Sequence, residues 1–262
     1  MTGGLRLLRN LLLCSDTHEA APQAGATVDA LCWLHAGDFY LNKDIASADE
    51  EMNAQYADTI GALEGGVAYH WFRNGKLPIY AVRGNHDGHD AWGFFRTAQD
   101  VSGRAVRIAP GLLLAGIGWY GRHYNDLPTE NDFERPCMAV ANSIRRLRQA
   151  DDMLILLSHY PAYPPPGEKI SSHTFRRLRD LVAATQPAVF VQGHIHEWAG
   201  TCYEAPLGER RLLVVNPGPI GGVLTTDTVT LARVFSGGTI DPMPEETTKP
   251  EVEYACRYHP PT

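Results

Sequence analysis

The 262-residue chain is poor in the features that several protein classes depend on. Its five cysteines, Cys14, Cys32, Cys137, Cys202 and Cys256, are odd in number, scattered and never spaced as CxxC. That excludes a disulfide framework and a structural zinc ribbon, and it suits a reducing compartment. Long apolar runs are missing too. The first, Leu11 to Cys14, follows Arg6 and Arg9 but stops at Ser15-Asp16, too short for a signal-peptide core. No later stretch reaches the roughly 18 apolar residues of a membrane span, so the expectation is a cytoplasmic protein with no membrane partner. Basic charge is also scarce: 23 Lys and Arg against 30 Asp and Glu leave a formal net charge of −7. Broad binding to nucleic acid needs a basic surface that displaces counterions, so bulk nucleic-acid binding is disfavoured while a narrow basic pocket remains allowed.

What is present fits an ordinary globular chain, 44% hydrophobic and 20% charged. Short apolar runs end abruptly in Gly, Asp, Asn or His: Leu11–Ser15, Ala30–Ala36, Leu77–Arg83, Leu112–Gly118, Met153–Ser158, Ala188–Gln192 and Arg211–Asn216. Their length and their Leu, Val and Ile content predict buried strands. Helical spacing appears between them, over Asp49–Leu63 before Gly65-Gly66, over Met138–Gln149, and over His173–Ala184 with Phe175, Leu178, Leu181 and Val182 on one face. Arg145, Arg146, Arg148, Arg176, Arg177 and Arg179 read as solvated faces of these helices. Glu19–Thr27 carries Pro and Gly where a first crossover helix would stand and predicts a loop. Strands alternating with helices indicate an α/β architecture. With no repeat and no linker between two cores, the expected organisation is a single domain over 1–240 and a Pro- and Glu-rich tail over 241–262.

The chemistry-bearing residues cluster where these runs stop. Asp16 and His18 follow the first, Asp38 the second, Asn85, His86 and Asp87 the third, His159 the fifth, and His194 and His196 the sixth. The C-terminal edge of an α/β sheet is where loops from several strands converge, so these side chains are candidates for one site. Glycine precedes Asp38, Asn85 and His194, which lets the backbone come close without a Cβ clash. Asp16, His18, Asp38, Asn85, His159, His194 and His196 make seven candidate metal ligands. One four-coordinate ion would strand three of them, whereas two ions sharing a carboxylate use all. Imidazole, carboxylate and amide without thiolate suit Mn, Fe, Zn, Ni or Co, and are too nitrogen-rich for Mg or Ca.

Those blocks, D-x-H, G-D, G-N-H-D, H and G-H-x-H in that order from Asp16 to His196, resemble the signature of the calcineurin-like metallophosphoesterase superfamily. The resemblance implies a four-layer α/β/β/α sandwich in which two mixed sheets face each other between helices. It implies two divalent ions, manganese first among the candidates, one held by Asp16, His18, Asp38 and His196 and the other by Asp38, Asn85, His159 and His194. Asp38 becomes the bridge, and His86, aided by Asn85, assists the phosphoryl group or leaving oxygen while a hydroxide shared by the ions attacks phosphorus. The implied substrate is a small phosphate monoester or diester. Alternatives are a nuclease and a non-catalytic interaction scaffold of the same fold; a metallo-β-lactamase is set aside because no HxHxDH block occurs.

Three further expectations attach to the reading. The stretch from His89 to Asn142 is expected to be an insertion at the mouth of the site, where Trp119, Tyr120, Arg122 and His123 are candidate substrate contacts. Asn216-Pro217-Gly218 resembles the turn that follows the last histidine block in small phosphodiesterase-like members. Cys14 and Cys32 read as small buried hydrophobes, and His35 as structural or exposed.

Overall fold

The computed structural model describes residues 9–18, 29–39, 76–87, 97–118, 128–170, 175–219 and 221–226, with the backbone of 231–236 and 253–254. Among these residues the strands are β1 (Arg9–Cys14), β2 (Cys32–His35), β3 (Ile79–Ala81), β4 (Ala98–Asp100), β5 (Arg104–Ala109), β6 (Leu112–Ile117), β7 (Met153–Ser158), β8 (Val189–Val191), β9 (Thr201–Leu207), β10 (Arg210–Asn216), β11 (Gly222–Thr226), β12 (Leu231–Ser236) and β13 (Glu253–Tyr254). Two helices are described, α1 (Glu134–Leu147) and α2 (Arg176–Thr185).

The strands form two mixed sheets, in the orders β13-β12-β11-β1-β2-β3-β4 and β5-β6-β7-β8-β10-β9. In the first, β1 to β4 run parallel and β11 joins β1 antiparallel. In the second, β6, β7, β8 and β10 run parallel, with β5 and β9 antiparallel at the edges. Each of the seven apolar runs overlaps one of these strands. β6 and β7 are buried at every position, as central parallel strands covered on both faces must be.

The period-two alternation of side chains sorts the apolar residues into layers. Leu11, Leu13 and Leu34 of the first sheet pack against Leu112, Leu114, Ile155, Leu157, Val189 and Val191 of the second. On the opposite face of the second sheet, Leu113, Leu154, Leu156 and Phe190 meet Val140 and Ile144 of α1 and Leu178 and Val182 of α2. Each such large side chain contributes about 1.5–3 kcal/mol when fully buried. Leu12 and Trp33 are buried on the outer face of the first sheet. The helix expected over Asp49–Leu63 and the loop expected over Glu19–Thr27 lie outside the described residues. The fold is therefore the α/β sandwich of two mixed sheets that the sequence implies.

Helix ends show how distant segments complete one another. α2 starts at Arg176, three residues later than the periodicity suggests, where the Glu130 carboxylate accepts the backbone N–H groups of Arg176 (2.7 Å) and Arg177 (2.8 Å). This satisfies otherwise orphaned donors and places negative charge at the positive end of the helix dipole. At its other end, Arg148 donates to the carbonyls of Thr185 and Gln186. Arg148 is thus a cap and not the solvated side chain expected of it. Residues 97–118 build β4, β5 and β6, and 134–142 open α1. These parts of the expected insertion belong to the sheets and the helical layer. No helix among the described residues is long and apolar enough to cross a membrane.

Candidate metal centre

All five motif blocks meet at the C-terminal ends of parallel strands. Asp16 and His18 follow β1, Asp38 follows β2, Asn85 and His86 follow β3, His159 directly follows β7, and His194 and His196 follow β8. The loops from the two sheets are stitched together at this edge. The backbone N–H of His194 donates to the Asp16 carboxylate at 3.0 Å and 3.2 Å, and that of Ser15 to the Gly218 carbonyl at 3.1 Å. The latter bond brings the Asn-Pro-Gly turn after β10 against the first motif.

Two groups of candidate ligands result. Asp16, His18 and His196 form one, and Asp38, His159 and His194 the other, with the donor atoms of each within 4.8 Å of one another. In the first, His18 Nε2 lies 3.3 Å from His196 Nε2, which lies 3.8 Å from Asp16 Oδ1. In the second, His159 Nε2 faces Asn85 Oδ1 at 2.9 Å, His194 Nδ1 at 3.2 Å and Asp38 Oδ2 at 3.3 Å. The groups differ in exposure. Asp38 and His159 are buried, whereas His196 is exposed. Imidazole, carboxylate and amide oxygen donors packed this closely fit the chemistry of a divalent cation.

Electrostatics agree with that description. His159 Nδ1 donates to the Ala36 carbonyl at 2.9 Å, which leaves Nε2 as the atom turned toward the other donors. Burial by itself would push this imidazole down. The Asp38 and Asp16 carboxylates and the Ala36 carbonyl outweigh burial and lift its pKa to about 9. Asp38 is held well below the usual carboxylate range against the cost of burial, chiefly by His159. Burial lowers His86, whose ring lies edge-on to that of His18 with centroids 5.5 Å apart. The His86 backbone N–H donates to Asp38 Oδ1 at 2.9 Å.

The backbone here is strained. Asp16 (φ 51°), His18 (44°), Asp38 (56°) and His194 (73°) all occupy the left-handed region. Such residues cost of order 1–3 kcal/mol each and persist only where the surroundings over-determine them. The glycines before the ligands supply close approach. A Cβ on Gly84 would lie 2.1 Å from Asp38 Oδ1, and one on Gly193 2.8 Å from Asp16 Oδ2.

Three supporting residues carry roles that sequence spacing alone does not reveal. Asp87, wholly buried, accepts from the backbone N–H groups of Asp38 (2.9 Å), Phe39 (2.8 Å) and Gly84 (2.9 Å), and so clamps two ligand loops. Burial, reinforced by the Asp38 charge, pushes its pKa up to about 6. Gln192, also buried, accepts from Ala162 (3.1 Å) and Tyr163 (3.3 Å), fixing the chain just after His159. His35 is fully buried, and burial pushes its pKa down to about 3. The available signal was a polar residue closing or following an apolar run. Cys14 and Cys32 are buried as expected, and burial raises both thiols. Trp119, Tyr120, Arg122 and His123 lie outside the described residues.

Similar chains occur among solved structures. A crystal structure 14% identical in sequence aligns over 84% of this chain and 95% of its own with a TM-score of 0.51. TT1561 of Thermus thermophilus is 16% identical over 85% of this chain and 95% of its own, with a TM-score of 0.45. The purple acid phosphatase PPD1 of yellow lupin (Lupinus luteus) is 14% identical over 87% of this chain and 51% of its own, also at 0.45. No curated protein gives a significant match. The model of the calcineurin-like phosphoesterase family matches residues 9–198, a span that holds every candidate ligand, and the chain belongs to that family.

Proposed function

We propose that the protein hydrolyses a small phosphate monoester or diester using two divalent ions. The observation that carries this reading is the pair of adjacent ligand groups where the C-terminal ends of the parallel strands of both sheets meet. Asp16, His18, Asp38 and His196 would hold one ion, and Asp38, Asn85, His159 and His194 the other. Asp38 suits the shared position because its Oδ2 faces His159 of one group while the same carboxylate also interacts electrostatically with His18 of the other. When bound, such a pair of ions lowers the pKa of a shared water and neutralises the charge of a phosphoryl group. Manganese is the first candidate, with Fe, Zn, Ni or Co as alternatives, because the donor set is nitrogen-rich and free of thiolate.

The chain's own groups do the rest. His159 is held by the Ala36 carbonyl and Asp38 by the His86 amide, so both side chains are oriented in advance. His86, which stands beside His18, would hydrogen-bond the ester oxygen or pass it a proton as it departs. Asn85 turns Oδ1 to the cluster, which leaves its amide NH₂ to donate to a phosphoryl oxygen. The reading includes Trp119, Tyr120, Arg122 and His123 as substrate contacts and a cytoplasmic location. The net charge of −7 supports a small substrate over bulk nucleic acid.

Paired chromogenic mono- and diesters, assayed with added Mn²⁺ and with chelator, test the proposal. Hydrolysis of at least one ester, abolished by chelator and restored by Mn²⁺, is the expected result. Absence of chelator-sensitive turnover on both would overturn it and favour the scaffold reading.

A further inference from the structure

His35 offers no donor atom to either ligand group, yet its ring is entirely buried between two ligand loops. The Gly37 backbone N–H points at Nδ1 at 3.1 Å, and Thr17 Oγ1 lies 3.0 Å from Nε2. A backbone N–H can only donate, so Nδ1 accepts. In the neutral ring Nε2 then carries the hydrogen and donates to Thr17. One imidazole therefore bonds to the residue between Asp16 and His18 and to the residue before Asp38.

We propose that His35 is a positioning residue that holds the Asp16–His18 ligand pair in register with Asp38. This rests on the metal-centre reading above. Its physical basis is the strain in the two loops: Asp16, His18, Gly37 and Asp38 are all left-handed. Two backbone bonds, Asp16 N–H to the Gly37 carbonyl (2.9 Å) and His18 N–H to the Asp38 carbonyl (3.2 Å), already join the loops. Neither constrains Thr17, the middle of the D-T-H turn. His35 supplies that third link through a side chain that is itself fixed at the last position of β2 and packed edge-on to Phe39.

The test uses the full chain stripped with chelator and titrated with Mn²⁺, followed by calorimetry and by electron paramagnetic resonance of the bound ions. Thr17→Val keeps the shape of Thr17 and removes its hydroxyl. His35→Asn keeps an acceptor near the Nδ1 position for Gly37 and removes the donor to Thr17. Each is expected to weaken the ion at Asp16, His18 and His196 by about 10–100-fold, the usual effect of losing a partner that orients a ligand. The ion at Asp38, Asn85, His159 and His194 should keep its affinity. Because both substitutions break the same bond, the double variant should bind no more weakly than the weaker single one. Turnover lost at limiting Mn²⁺ should return as Mn²⁺ is raised. Unchanged affinity for both ions in the variants, with only a lower melting temperature of the metal-free chain, would make His35 merely structural and overturn the inference alone. Failure of the unaltered chain to take up Mn²⁺ would overturn the metal centre and the inference together.

Discussion

Gly84→Ala tests how tightly the fold builds the centre. A methyl group at Gly84 would lie 2.1 Å from Asp38 Oδ1, 2.6 Å from Asp38 N and 2.8 Å from Asp38 Cγ. Real Cβ atoms do not come this close, so Asp38 must move. Its room is small, because Asp38 N and Gly84 N both donate to Asp87 Oδ2 at 2.9 Å and Asp38 Oδ1 accepts from His86 N at 2.9 Å. Gly84 is not left-handed, so the substitution carries no conformational penalty and the cost is contact alone. Overpacking of this kind costs about 1–3 kcal/mol. Gly103→Ala is the matched control, since Gly103 is left-handed (φ 76°) with nothing within 4 Å of a built Cβ. Its cost is conformational and similar, about 1–2 kcal/mol. Thermal unfolding should show comparable losses, about 2–4 °C per kcal/mol for a chain of this size. Mn²⁺ binding and phosphoesterase assays should separate the two. Gly84→Ala weakens both ions that share Asp38 and loses most turnover, while Gly103→Ala keeps metal and turnover. Gly84→Ala with full metal content and full activity would refute the claim that this approach fixes Asp38.

Other residues yield equally direct expectations. Asp87→Asn turns one acceptor of the triple clamp into an N–H that faces a backbone N–H, leaving a buried donor unsatisfied; a loss of about 1–3 kcal/mol is expected in chemical denaturation, and an unchanged midpoint would contradict it. His86→Ala should keep its metal by elemental analysis and lose about 10²–10⁴-fold in turnover, whereas Asp38→Asn should lose the second ion; full activity in either would remove these assignments. Because the His159 pKa is raised to about 9, the metal-free chain carries a proton there at neutral pH, on the nitrogen that faces the other donors. Mn²⁺ must displace it, so affinity should rise by about tenfold per pH unit from pH 7 toward 9 and then level off; calorimetry showing no pH dependence and no proton release would contradict this.

The strands were legible because apolar runs such as Leu112–Gly118 and Met153–Ser158 admit little but a buried strand, and each one overlaps the strand observed. β9 was missed for a physical reason. Its Thr201–Leu207 sequence mixes buried Cys202, Ala205 and Leu207 with partly or fully exposed neighbours, as an edge strand does, and Pro206 is tolerated there. The start of α2 was misplaced because its cap, Glu130, sits 46 residues away in sequence. At the site, the ligand candidates stood out because the two groups now found are drawn from blocks that each end an apolar run. The clamps did not. Asp87 reads as the end of a motif and His35 as part of a strand, and only the approach of separate loops shows what each bonds.

The central claim is that turnover depends on two ions held by one chain. The rate of hydrolysis of a chromogenic phosphate ester, followed as Mn²⁺ is added in fractions of an equivalent to the chelator-stripped protein, tests it most directly. Activity should be absent without metal and should reach its plateau at two equivalents per chain. A plateau at one equivalent, or turnover that proceeds without metal, would contradict it.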